Sequence, residues 1–294
     1  MVFKKQLELQ DGIYRHNYFD EVTASVQDFY KENPFPNYND IENKYHILEK
    51  GNQSFLKFIK EKIGFNKKIL EVGCGTGQFS NYLAIGTNNK IYALDATLNS
   101  LKLAKKFSDQ NKIDNITYIN ASIFSDIFYE NSFDLVFCSG VLHHTSNPHL
   151  GFKNCVNFLK NGGYIAIGLY NYYARFSFNK MIFKLFGSKA LEYFDPVLKN
   201  KKLSSDSKNA WIKDQYEHIV ESTHTFDELI NWFKSENIDI ISGIPKITNL
   251  DISEIGKKNT IENIKLKNIT ERVFIQILMN FNSYGSDGAL FNLF

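Results

Sequence analysis

The stretch Ile69-Leu70-Glu71-Val72-Gly73-Cys74-Gly75-Thr76-Gly77 constrains this chain more than any other. A short apolar run enters three alternating glycines, and Phe79, Tyr82 and Leu83 then recur at helical spacing. A strand, a glycine turn and a helix bring bare backbone against whatever lies beyond the sheet. The next apolar run, Lys90 to Leu94, ends at Asp95. That acid follows the loop by about 20 residues, where a carboxylate can accept hydrogen bonds from both hydroxyls of a ribose. The dinucleotide fingerprint G-x-G-x-x-G places its third glycine one residue later than this G-x-G-x-G does. A tighter turn suits a nucleoside that has an amino-acid tail and no pyrophosphate. Glu71 can order the loop or reach an ammonium group on such a tail.

Strand-like and helix-like patterns alternate through the middle of the chain, which predicts βαβ units and a parallel sheet. Ser54 is read as the N-cap of a helix carrying Phe55, Phe58, Ile59 and Ile63. Leu98, Leu101, Ala104 and Phe107 form another helical face, and Ile116–Asn120, Phe133–Cys138 and Tyr164–Leu169 read as strands. A helix from about His149 to Lys160 is expected to end at Asn161-Gly162-Gly163. Residues 172–222 break the alternation. Thr225 is read as capping a helix through Leu229, Trp232 and Phe233, with Glu228 completing a capping box. Ile238–Ile244 is the expected sixth strand, Ile269–Phe281 a helix and Gly288–Phe294 the last strand. The 294 residues suffice for one large core.

Residues 69–170 resemble the class I S-adenosylmethionine-dependent methyltransferases. Ile69 to Gly77 is similar to their first motif, and Asp95 to their ribose-binding acid. Ser132-Phe133-Asp134-Leu135-Val136, followed by Ser139-Gly140-Val141-Leu142-His143-His144, resembles their fourth strand and the turn after it. Leu159-Lys160-Asn161-Gly162-Gly163 resembles their LKPGG turn, with Asn161 replacing proline. The resemblance implies an α/β fold with a Rossmann-like, seven-stranded, mostly parallel sheet and helices on both faces. It implies S-adenosyl-L-methionine as cofactor, held by Glu71, Gly73, Cys74, Gly75, Gly77, Asp95, Ala96, Ser122, Ile123 and Ser139. Ser122 stands where the family often has an aspartate on the adenine amino group, and a hydroxyl accepts that bond more weakly. The implied organisation is an N-terminal arm or lid (1–50), a cofactor-binding core (51–171), an acceptor-recognition insertion (172–222) and the rest of the same α/β domain (223–294). The segment Phe29 to Tyr38, rich in aromatics and proline, reads either as a stiff lid or as an arm packed on an apolar surface.

Ligands of open α/β sheets bind beyond the carboxyl ends of the strands. His143 and His144 fall there and are candidates for a catalytic base near neutral pH, or else pack the turn. Tyr170, Asn171, Tyr173 and Arg175 leave the fifth strand, and a guanidinium can grip a carboxylate or phosphate. Asp214, Gln215, Tyr216, Glu217 and His218, with Glu221 and His224, make a second polar group read as acceptor recognition, with Gln215, Tyr216, His218 and His224 as its candidate substrate-binding residues. No HExxH spacing occurs and no cysteine joins these residues, so no metal is expected. A net charge of +2 argues against a dedicated nucleic-acid binder, although Lys199, Lys201 and Lys202, and Lys265 and Lys267, cluster locally. Three cysteines without a CxxC, no apolar run long enough to span a bilayer and a polar N-terminal stretch point to the cytoplasm, with no membrane partner. The leading expectation is an enzyme that methylates an O, N or C nucleophile of a small molecule. A tRNA or RNA methyltransferase and a non-catalytic cofactor-binding module are the alternatives. Oligomeric state is not legible.

Overall fold

The computed structural model describes residues 2–17, 19–32, 34–38, 41–175, 178–195, 197–199, 204–250, 264–280 and 289–294. Asn33 of the arm, Lys201 and Lys202 of the basic cluster, Phe281 and Gly288 lie outside the described residues. Nine strands share one sheet: β1 (Glu8–Gln10), β2 (Ile13–Arg15), β3 (Lys68–Val72), β4 (Lys90–Asp95), β5 (Ile116–Asn120), β6 (Phe133–Ser139), β7 (Leu159–Tyr170), β8 (Gly243–Ile244) and β9 (Leu290–Leu293). Their order is β1-β2-β5-β4-β3-β6-β7-β9-β8. From β2 through β7 every pairing is parallel, while β1 and β9 run antiparallel to their neighbours.

The central strands are mostly apolar because helices cover both faces, with charged residues such as Lys68, Lys90 and Asp95 at strand ends and Glu71 near the end of β3. Ile69, Leu70, Ile91, Ile119 and Val136 are fully buried. The chain winds outward from β3 to β4 and β5, then returns to the other side of β3 with β6. That reversal opens a crevice at the carboxyl ends of β3 and β6, where doubly wound sheets bind ligands.

Several sequence expectations change. The sheet has nine strands among the described residues, not seven, because the arm supplies a hairpin, β1 and β2, to the free edge of β5. The sixth strand shrinks to Gly243–Ile244, although Ile241 still donates to the Phe294 carbonyl. The helix expected to reach Lys160 is Pro148–Phe158, and Leu159 already turns extended. Lys160 to Gly163 then lie within β7, where the register slips from the Phe133–Leu159 pair to the Leu135–Tyr164 pair. Phe55, not Ser54, is the N-cap of the helix Leu56–Ile63, and the Ser54 hydroxyl instead accepts from the Leu56 amide. Thr225 Oγ1 accepts from the Glu228 amide, but the Glu228 carboxylate turns to His224, so that box is half made. A complete box forms between Asn268 and Glu271, ahead of the helix Ile269–Leu278.

Candidate active site

Gly73, Gly75 and Gly77 all have positive φ, at 68°, 52° and 74°. That conformation favours glycine at each position. Packing gives a second reason for glycine, since the space that a Cβ would take is already filled. A Cβ on Gly73 would strike Val141, on Gly75 the Phe35 carbonyl oxygen at 2.5 Å, and on Gly77 the Ala104 Cβ at 2.8 Å. The amides of Gly73 and Cys74 donate to the Leu94 carbonyl, and Gly77 donates to Cys74. The Gly75 amide donates to Asp95 Oδ2 at 2.7 Å. The loop is therefore a finished wall.

The arm closes over that wall. Tyr38 donates to the Thr76 carbonyl at 2.7 Å, Gln78 to the Asn37 carbonyl at 2.8 Å, and the Thr76 hydroxyl to the Pro36 carbonyl. Gln27, in the helix Glu21–Glu32, donates to the Ala96 carbonyl at 2.6 Å. Beneath lies a cavity of about 520 Å³, within the range of small-ligand sites.

The cavity is bordered by Glu71, Gly73, Cys74, Gly75, Asp95, Ala96, Ser122, Ile123 and Ser139, nine of the ten residues expected to hold a cofactor. Gly77 is absent from the lining because it faces Ala104. Asp95 accepts the Gly75 and Thr97 amides, each at 2.7 Å and each on a different oxygen. Each oxygen keeps a lone pair, as a ribose diol requires. Ala96, Ala121 and Ile123 form an apolar slot suited to a purine, with Ser122 beside them. The Ser122 hydroxyl accepts from the Phe124 amide. Glu71 is buried and accepts from the Ser80 hydroxyl. Burial, with a smaller contribution from Asp95, pushes its carboxyl up to about 8. Ser139 donates to Asn292 Oδ1 at 2.6 Å. These residues fit a nucleoside carrying an amino-acid tail.

The same lining includes His144, Tyr170, Trp211, Asp214 and Gln215, with Tyr30 of the arm and Phe35, whose carbonyl packs against Gly75. His144 Nδ1 lies 2.6 Å from the Val220 carbonyl, which can only accept, so the neutral ring holds its proton on Nδ1. Burial, then the neighbouring His218, lowers the His144 imidazolium pKa to about 3. That ring remains neutral at physiological pH.

His143 does not border the cavity. It stacks on Tyr170 at 3.8 Å, and its Nδ1 accepts the Tyr170 amide at 3.3 Å. Burial drives its pKa well below the usual histidine range. Arg175 is expected to grip an acceptor, but it does not border the cavity, and its guanidinium lies over the Tyr170 ring at 3.8 Å. Nε and Nη2 donate to the two Glu221 oxygens at 2.9 and 2.6 Å, and Nη1 donates to Gln215 Oε1 at 2.8 Å. Asn171 caps the short helix Tyr172–Arg175 through the Tyr173 and Ala174 amides and donates to Gln276. Tyr173 lies outside the cavity lining against Tyr172, Tyr216 donates to Asp195, and His224 pairs with Glu228. His218 stacks on the far side of His144 at 3.6 Å.

Sequence reasoning missed Trp211 as a lining residue, while Tyr30 was read only within the arm and Asp214 only within the polar group around Gln215. The aromatic run in the arm and the polar group around Gln215 carried the signal, but only the fold brings them together. Among the described residues, no group of three His, Cys, Asp or Glu side chains is arranged to hold a metal. No helix of the described residues is long and apolar enough to cross a membrane.

Comparison with known proteins gives a consistent family. Residues 63–274 match the family model of the methyltransferase domain. The ubiquinone biosynthesis O-methyltransferase of Glaesserella parasuis is 31% identical over 134 residues, 43% of this chain and 54% of that protein. The protein of the same description in Proteus mirabilis is 29% identical over 136 residues, 45% of this chain and 54% of that protein. The chain thus spans about half the length of these curated relatives. A solved S-adenosylmethionine-dependent methyltransferase of Thermotoga maritima covers 91% of this chain and 97% of its own, at 15% identity and a TM-score of 0.48.

Proposed function

This chain belongs to the methyltransferase domain family, and from that premise we propose that it transfers the methyl group of S-adenosylmethionine to a small-molecule nucleophile. One observation carries the reading: a single cavity runs from the glycine loop and Asp95 to the Tyr30–Asp214 wall. Donor and acceptor would share one space closed by the arm and the insertion. A walled cavity of this kind favours a small acceptor over a nucleic acid.

When bound, S-adenosylmethionine supplies a methyl carbon already activated by its sulfonium. The chain's own residues supply alignment and exclusion of water, which is most of what such a displacement needs. Asp95 would accept the ribose hydroxyls, and the slot at Ala96, Ser122 and Ile123 the base. Glu71 would face the amino-acid tail, where a nearby ammonium favours its ionised form. Tyr30, Phe35 and Trp211 exclude water around the acceptor. His144 presents a neutral ring, so it serves as a hydrogen-bonding wall rather than a base holding a proton through the cycle. His143 supports Tyr170 from behind.

Calorimetry with S-adenosylhomocysteine should show stoichiometric binding. Incubation with methyl-labelled cofactor and a cell extract should place label in the small-molecule fraction. No binding of the nucleoside, or label confined to RNA, would overturn the reading.

A further inference from the structure

We propose that the wall formed by Tyr30, Trp211 and Asp214 is a cation site, and that the methyl acceptor is an amine bound there as its ammonium ion. This rests on the methyltransferase reading and narrows its acceptor class. Asp214 is buried and borders the cavity. Its Oδ1 accepts the Tyr30 hydroxyl at 2.6 Å and its Oδ2 accepts Gln215 Nε2 at 2.7 Å. Two donors on two oxygens suit an ionised carboxylate.

The nearby cations are committed elsewhere. Arg175 is clasped by Glu221 on two nitrogens, and Lys180 reaches the same carboxylate at 2.5 Å. Among the described residues no ion pair involves Asp214. Arg175 acts on Asp214 only from across Gln215, so the buried carboxylate has no cation in direct contact, and a cationic ligand would lower the cost of its burial. The cationic side chain among the described lining residues is Lys50, and it donates to Gln78 at 2.9 Å. Asp95 adds a second carboxylate to the same cavity. An anionic acceptor would therefore meet charge of its own sign.

Aromatic faces complete the site. Tyr30, Phe35 and Trp211 border the cavity, and π-faces attract cations; the Tyr170 ring is already taken by the His143 ring and the Arg175 guanidinium, each at 3.8 Å. The Trp211 indole is fixed by its Nε1 donating to Asp195 at 3.0 Å.

A protonated amine has no lone pair, so it must lose a proton first. One N–H proton passes to the Asp214 carboxylate. The freed nitrogen lone pair then forms the N–C bond to the methyl carbon as the C–S bond breaks, its electron pair returning to sulfur. The product is the methylated ammonium ion, and Asp214 later releases its proton to water. Burial raises the proton affinity of Asp214, which suits this step.

The test uses the full chain saturated with S-adenosylhomocysteine. Choline and its neutral isostere 3,3-dimethylbutan-1-ol are titrated calorimetrically. Choline should bind more tightly by about tenfold or more, the scale of a desolvated cation–π contact plus an ion pair. Asp214→Asn keeps an oxygen that can accept the Tyr30 hydroxyl and should remove that preference while S-adenosylhomocysteine still binds. With labelled cofactor and a cell extract, label should appear in products retained by a cation exchanger. Equal affinity of the wild-type chain for the two probes, a measurement that needs no variant, overturns the cation site. Label confined to neutral or anionic products overturns the amine acceptor. Failure to bind S-adenosylhomocysteine at all would instead sink the methyltransferase reading.

Discussion

Asp95 ties the glycine loop to the end of β4 and still offers a lone pair on each oxygen. Asp95→Ala is expected to weaken S-adenosylhomocysteine binding by about 100-fold or more, since two charge-assisted hydrogen bonds contribute roughly 1.5–3 kcal/mol each. Calorimetry on material of unchanged circular dichroism checks this. Glu71 makes a different demand. Its folded pKa, about 8, lies above the ordinary 4.5, so the folded state holds the extra proton. The stability it contributes is whole below about 4.5 and is lost as pH rises towards 8, at up to about 1.4 kcal/mol per pH unit. Glu71→Gln should flatten that decline in denaturant titrations of the ligand-free chain. An unchanged slope between pH 5 and 8 would show that Glu71 is ionised in the fold. The three loop glycines were legible in the sequence, but their reason was not. Val141, Phe35 and Ala104, which crowd them, come from distant parts of the chain that no local pattern connects.

At the scale of elements, strands β3 to β7 were readable because buried parallel strands are long apolar runs. Strands β1 and β2, of three residues each, carry no such signal and exist because β5 offers a free edge. The arm is held to the glycine loop by side-chain bonds to main chain. Tyr38 both donates to Thr76 and accepts from Asn81 at 3.1 Å. Tyr38→Phe leaves the ring stacked on Phe107 but removes both bonds. It should raise protease cleavage within residues 20–40 and lower S-adenosylhomocysteine affinity by roughly threefold to tenfold, as loss of one or two hydrogen bonds implies. Cleavage and affinity equal to wild type would mean the arm is held without Tyr38. The insertion was recognisable as a break in the alternation, yet its helix Ser205–Tyr216 gave no sign that Trp211, Asp214 and Gln215 share a face of the cavity.

For the whole molecule, acid sensitivity follows from three packed histidines. Burial lowers His143 well below its usual range, His144 to about 3 and His218 to about 4. The unfolded chain binds these protons first, so stability is lost as pH falls from about 6.5 towards 4. His218→Phe keeps an aromatic ring beside His144 and Phe29 but removes one titrating group. Its acid-unfolding midpoint should move to lower pH, and a midpoint at or above the wild-type value would contradict the assignment. Arm and insertion are also joined directly, by Tyr30 to Asp214 and by Ser207 to Asn37 at 2.9 Å. Two leaves latched to each other swing as one door. If reactants pass this way, departure of spent nucleoside and of methylated product should share one temperature dependence, which stopped-flow release measurements on the two products would check.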